Sequence, residues 1–175
     1  MANREALREL HARLAARLQA ARSEGVAAAS WLAVEAGGGK YLMPLAQSGE
    51  IFPWSGVLPV PYTQPWFMGV ANLRGTLAAV VDFPGLMGHR VARTEMSLGD
   101  ASLLAFNAAL EVNAALLVDR LLGLRGPQNF AGMQDAPADA PAYWGATYFD
   151  EAGEPWQEIH LQNLSQDPVF LSIRA

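Results

Sequence analysis

Two aspartates stand directly behind apolar runs, Asp82 in AAVVDF and Asp119 in AALLVDR. A carboxylate pair does general acid–base work only when the two groups lie a few ångströms apart with split pKa values. The residues that follow here are Phe83 and Arg120, not the small Thr or Ser and Gly of an aspartic-protease loop. An Asp at a strand end ordinarily caps a turn or pairs with an arginine, so Asp82 and Asp119 read as structural pairing residues. His11, His89 and His160 have no partner at i,i+4 and no HExxH spacing, so no metal site is expected. The GGGK stretch fails as a phosphate loop: the first glycine of GxxxxGK[ST] would fall at Val34, and Tyr41 follows Lys40. GxSxG is absent, and no GxGxxG follows a strand. No catalytic residue and no cofactor is expected. An enzyme using Asp82 and Asp119 remains the reading with least support.

Arg74 raises a different chemistry. In WFMGVANLRG it stands between two strand-like apolar runs and is followed by Gly75. That places it at a tight turn, where glycine supplies a positive φ cheaply. Its guanidinium offers five donors in a fixed fork. Two roles are open. It can hold a carboxylate or helix C-terminal carbonyls of a partner, or it can pair internally with Asp82 or Asp119. The tryptophans 31, 54, 66, 144 and 156 read as core or interface residues. Trp66, beside a proline-rich connector, is the best candidate to line a groove. A small-molecule-binding barrel lined by Trp66 and Trp144 is the second class of reading.

These residues need elements to position them. The 175 residues are 51% hydrophobic and 17% charged, enough apolar material for a core and a surface that is partly apolar. Residues 1–22 hold five arginines and two glutamates, about +3; the remainder is about −8. The overall charge of −5 disfavours nucleic acid. There are no cysteines, which removes disulfides and thiolate metal sites. No apolar run reaches about 18 residues, so no membrane span or insertion is expected, and the default is cytoplasmic. Residues 2–22 read as a helix with a stripe of Leu7, Leu10, Leu14 and Leu18, ended by Ser23-Glu24-Gly25. It packs on its own domain or serves as a partner-binding arm. The division is therefore 1–24, an N-terminal amphipathic helix, and 25–175, a mainly β domain. There a hairpin is read at 31–45 and an extended connector at 57–65. A strand is read in ASLLAFN and another in EVNAALLVDRLLGL, apolar from Ala114 to Val118. A second hairpin turns at Asp150 to Gly153, a short helix spans 157–166, and VFLSI closes as strand or tail. Eight to ten short strands argue a sandwich or barrel.

The stretches SGEIFPW, LPVPYTQPWFMGVANLRGTLAAVVDFPGLMG, SLLAFN and AALLVDRLLGL resemble the CheW-like family of chemotaxis coupling proteins. The matching positions are Val60-Pro61, Pro65, Gly69-Val70, Asn72-Leu73-Arg74-Gly75, Val81-Asp82, Gly88 and Val118-Asp119. The resemblance implies two small five-stranded β-barrels around a shared core. It also implies a non-enzymatic adaptor joining the cytoplasmic tip of methyl-accepting chemoreceptors to a CheA-type histidine kinase, in arrays at the membrane. Candidate receptor- or kinase-binding residues by that resemblance are Trp66, Val70, Asn72, Leu73, Arg74 and Gly75. The long Arg-rich helix resembles the branch that governs type IV pili and twitching; flagellar chemotaxis is the alternative. Ala79 in place of proline, Phe83 in place of leucine, and Pro84-Gly85 depart from the family pattern.

Overall fold

A computed structural model describes residues 2–23 and 30–175, with the side chains of residues 5–19 in the first helix. The domain junction expected at residues 24/25 lies outside the described residues. Helix α1 (Ala2–Ser23) precedes β1 (Trp31–Ala36) and β2 (Gly39–Pro44), a hairpin turning at Gly37-Gly38. Next come β3 (Ser48–Pro53), β4 (Phe67–Leu73), β5 (Thr76–Asp82), short helices α2 (Phe83–Leu86) and α3 (Glu95–Asp100), β6 (Ser102–Phe106) and β7 (Ala114–Val118). The chain finishes with β8 (Arg120–Arg125), β9 (Gly132–Gln134), β10 (Trp144–Phe149), β11 (Pro155–Ile159), α4 (Leu161–Ser165) and α5 (Pro168–Leu171).

The strands form two sheets, ordered β8-β1-β2-β11-β10-β9 and β3-β6-β7-β5-β4. The mainly β architecture with a helix at its start agrees with the sequence reading, but two five-stranded barrels do not describe it. Among the described residues one sheet has six strands, and neither ladder closes on itself. In the five-stranded sheet a single bridge, Leu58 to Val70, brings the chain after β3 against β4. Two pairs are parallel, β2 with β11 and β5 with β7. The apolar run Ala114 to Val118 is β7, in agreement with the sequence reading; the residues behind Asp119, part of the same strand segment in that reading, form β8 in the other sheet, and the chain crosses between the sheets at Asp119. Residues 155–159 are strand, so the helix expected at 157–166 shortens to α4. The VFLSI segment begins as helix, because Asp167 accepts from the Val169 N–H at 2.8 Å and Pro168 sits in the first turn.

Many strands are buried on both faces, which is why their sequences run apolar without alternating. Leu32, Val34 and Met43 meet Val81, Leu104 and Leu116 in the core between the sheets. Val80, Leu103 and Leu117 form a second cluster, and Trp31, Leu42 and Trp156 a third with Phe130 and Tyr148 against it. Gly69 lies under the connector at φ +137°, and a Cβ there would stand 2.3 Å from the Leu58 carbonyl oxygen. Backbone cannot yield as a flexible side chain can. Gly69→Ala is therefore expected to lower stability by about 2–3 kcal/mol, read as a lower urea midpoint at unchanged m-value.

Helix α1 packs on its own domain. Leu14 and Leu18 enter the central core, but Leu10 is 45% exposed. The inward stripe is Leu7, His11, Leu14 and Leu18, with His11 buried and its Nε2 2.6 Å from Ser102 Oγ. Burial lowers the His11 pKa, opposed in part by the Leu7 carbonyl. Below the ordinary histidine value of about 6.5 the unfolded chain then binds a proton that the folded chain resists. Stability contributed by this histidine is present above that pH and lost as pH falls through it. The thermal midpoint is expected to fall more on acidification in the wild type than in His11→Gln, which keeps a polar partner for Ser102 and does not titrate.

Candidate functional site

The β4–β5 hairpin turns through Arg74 and Gly75, at φ +51° and +84°. Both central residues are left-handed, as a two-residue hairpin turn of matching twist requires. Asn72 Oδ1 accepts the Gly75 N–H at 2.7 Å and fixes the turn. Leu73 is buried and anchors the strand end. An arginine in this backbone region costs about 1–2 kcal/mol relative to glycine, so the turn holds a side chain that folding alone would not select.

The guanidinium projects over the sheet. Arg74 Nη2 lies 2.5 Å from Glu50 Oε1 on β3, and the group stands 6.0 Å from the Phe52 ring centroid. The Arg74 side chain is still 75% exposed, and Glu50 36%. Beneath them is a cleft of about 410 Å³, lined by Glu50, Phe52, Leu73, Arg74, Thr76 and Asn113. An ion pair this exposed adds little to stability, about 0–1 kcal/mol. Its geometry instead presents a forked donor and a carboxylate side by side above an apolar floor.

The internal role considered for Arg74 falls to another residue. Arg74 does not pair with Asp82 or Asp119; its ion-pair partner is Glu50. Arg93 holds both aspartates: its Nη1 is 2.6 Å from Asp119 Oδ1, its Nε donates to Asp82 Oδ1 at 3.1 Å, and its Nη2 makes a further contact with that oxygen. Asp119 Oδ2 accepts the Gly37 N–H at 2.7 Å. The cluster thus ties the end of β5, the crossing into β8 and the β1–β2 turn. Burial pushes the Asp82 carboxyl up, and Arg93 pulls it back. Burial alone would lower the Arg93 guanidinium, but its bonds to Asp82 and Asp119 outweigh that and raise it. The two directions oppose each other in stability; the short contacts to both carboxylates decide for the ionised arrangement. Two carboxylates held by one arginine are a clamp, not a general acid and base.

The remaining sequence candidates scatter. Val70 lies under the connector, donating its N–H to the Leu58 carbonyl at 3.0 Å. Trp66 lines a different cleft, with Gln64, Pro168 and Val169. Trp144 begins β10 in the six-stranded sheet, one-third exposed. Sequence reasoning did not single out Glu50 or Arg93. Glu50 carried a signal, as the one charged residue in the strand Ser48–Pro53. Arg93 carried none that separates it from Arg90 in the same loop.

A family model described as the CheW-like domain matches residues 30–168. The chain belongs to the CheW-like family. Protein PilI of Pseudomonas aeruginosa is 30% identical to it over 166 residues, 92% of this chain and 88% of PilI. An alignment of that reach runs past the CheW-like domain into α1. The scaffolding protein TtCheW from Thermoanaerobacter tengcongensis superposes with a TM-score of 0.63 at 15% identity, over 77% of this chain and 92% of TtCheW. That likeness bears on the fold alone. Among the described residues no helix is long and apolar enough to cross a membrane.

Proposed function

We propose that this CheW-like protein is a non-enzymatic cytoplasmic adaptor. It couples the cytoplasmic tip of methyl-accepting chemoreceptors to a CheA-type histidine kinase in arrays at the membrane, with type IV pilus twitching as the output. The observation that carries the reading is the Arg74–Glu50 pair: an exposed, backbone-strained arginine on a rigid hairpin, beside a cleft with an apolar floor. Strain persisting at an exposed turn points to use of the side chain. Arg74 and Gly75 form the contact, Asn72 and Leu73 hold the turn that presents them, Val70 positions the hairpin, and Trp66 stands outside it. The pilus output is supported by the alignment with PilI, which includes part of α1.

The test is capture of purified CheA-type kinases and receptor cytoplasmic fragments from the same organism by the full chain. Selective capture of the kinase encoded with pilus genes is expected. Capture of a flagellar kinase alone would move the output to flagella. Failure to bind any kinase or receptor would overturn the adaptor reading.

A further inference from the structure

Helix α1 lies outside the matched family domain, and its outward side is organised in a way that docking on the domain does not use. Glu5, Glu9, Arg13 and Arg17 recur at i+4 and form one ladder along the helix, acidic in its first half and basic in its second. All four are exposed. Glu9 and Arg13 pair at 2.6 Å, and among the described residues Glu5 and Arg17 have no ion-pair partner. Beside the ladder Leu10 is exposed. It borders an open cleft of about 510 Å³ between α1 and the edge strand β8, with Leu14, Leu121 and Leu122 as walls and Arg13 and Arg17 on the rim.

Such a ladder is complementary to itself reversed. We propose that α1 is the two-fold contact of a weak homodimer, in which two copies lay their first helices antiparallel with the axis near His11. That register sets Glu5 against Arg17 of the partner subunit and Glu9 against Arg13 of the partner subunit, each twice by symmetry. A parallel arrangement would set like charges together and is disfavoured. The two exposed Leu10 side chains meet near the axis and close the outer rims of both clefts. Ala6, Ala12 and Ala16, all exposed, let the helices approach. The contact is independent of the adaptor reading.

Sedimentation and light scattering of the full chain test it. The wild type is expected to dimerise with a dissociation constant on the order of 100 µM, as a contact well below standard interface size would, and less so at high salt. Arg13→Glu/Arg17→Glu and Glu5→Arg/Glu9→Arg should each weaken self-association about tenfold or more, with circular dichroism confirming the fold. Mixed one to one, the two variants carry opposite ladders and should recover a heterodimer. Leu10→Glu, which leaves the ladder intact, should also weaken the dimer. A wild type that stays monomeric at millimolar concentration overturns the proposal. So does a dimer indifferent to these variants, which would place self-association on another face, and so do two folded variants that fail to associate when mixed.

Discussion

Replacing Arg93 by alanine lowers the stability of the fold by about 3–5 kcal/mol, the usual loss when one partner of a buried ion cluster is removed. In a chain of this length that is roughly 10 °C in the thermal midpoint. The size follows from burial: the Arg93 and Asp82 side chains are only 12% and 10% exposed, so water cannot take over for the lost cation. Asp119 is 23% exposed and keeps its bond to the Gly37 N–H, so it suffers less. Arg93→Met combined with Asp82→Asn should recover part of the loss, since it no longer strands a buried carboxylate. Denaturant titration of the three proteins decides the matter. A loss under about 1 kcal/mol for Arg93→Ala would put the clamp in the class of surface pairs and remove its role in joining the two sheets.

Arg74 should behave in the opposite way. Arg74→Gly relieves a left-handed arginine and removes an exposed ion pair, so stability is expected to hold or rise by up to about 1 kcal/mol. On the adaptor reading proposed above, binding to kinase or receptor is expected to fall on the order of tenfold to a hundredfold, the range for losing a charged contact at a docking surface. Arg74→Glu should bind more weakly still, because it faces Glu50 with a like charge. The reversed pair, Arg74→Glu with Glu50→Arg, should regain stability without regaining affinity if the partner reads the arginine at the turn. A calorimetric titration alongside thermal melts separates the two effects. Undiminished affinity in Arg74→Gly would leave the strained turn without a function and would move the docking surface elsewhere.

The hairpin that carries Arg74 was legible because its signals are local. Two apolar runs flank a glycine at the position a tight turn requires, and Asn72 sits where its side chain can bond the turn's own backbone. The clamp was not legible as such. Asp82 and Asp119 are marked by their places behind apolar runs, but the arginine that meets them comes from a loop whose path depends on the packing of both sheets. The crossing at Asp119 was hidden for a related reason. The apolar run Ala114–Val118 and the aspartate behind it mark β7, but β8 is only half-buried and shows no alternation, so nothing marks it as a strand of the other sheet. The stripe on α1 was displaced by one position, since His11, a polar residue, takes the inward place that leucine spacing assigns to Leu10. The last helix was missed although Asp167-Pro168 is a helix-start signal, because the β-branched and aromatic residues after it favour a strand by propensity.

The order of strands also sets an order in time. The five-stranded sheet is built from one continuous segment, residues 48–118, and the six-stranded sheet is split around it. As the chain leaves the ribosome, the inner sheet has all its strands once Val118 has emerged. β2 must wait for β11, whose Trp156 aligns with Lys40 across the parallel pair. Until then the edge of β2, with Tyr41, Leu42 and Met43, has no neighbour on that side. Open strand edges of this kind recruit other chains. A nascent chain stalled before residue 155 would therefore display an aggregation-prone edge, and the last strand to be synthesised is the one that seals it.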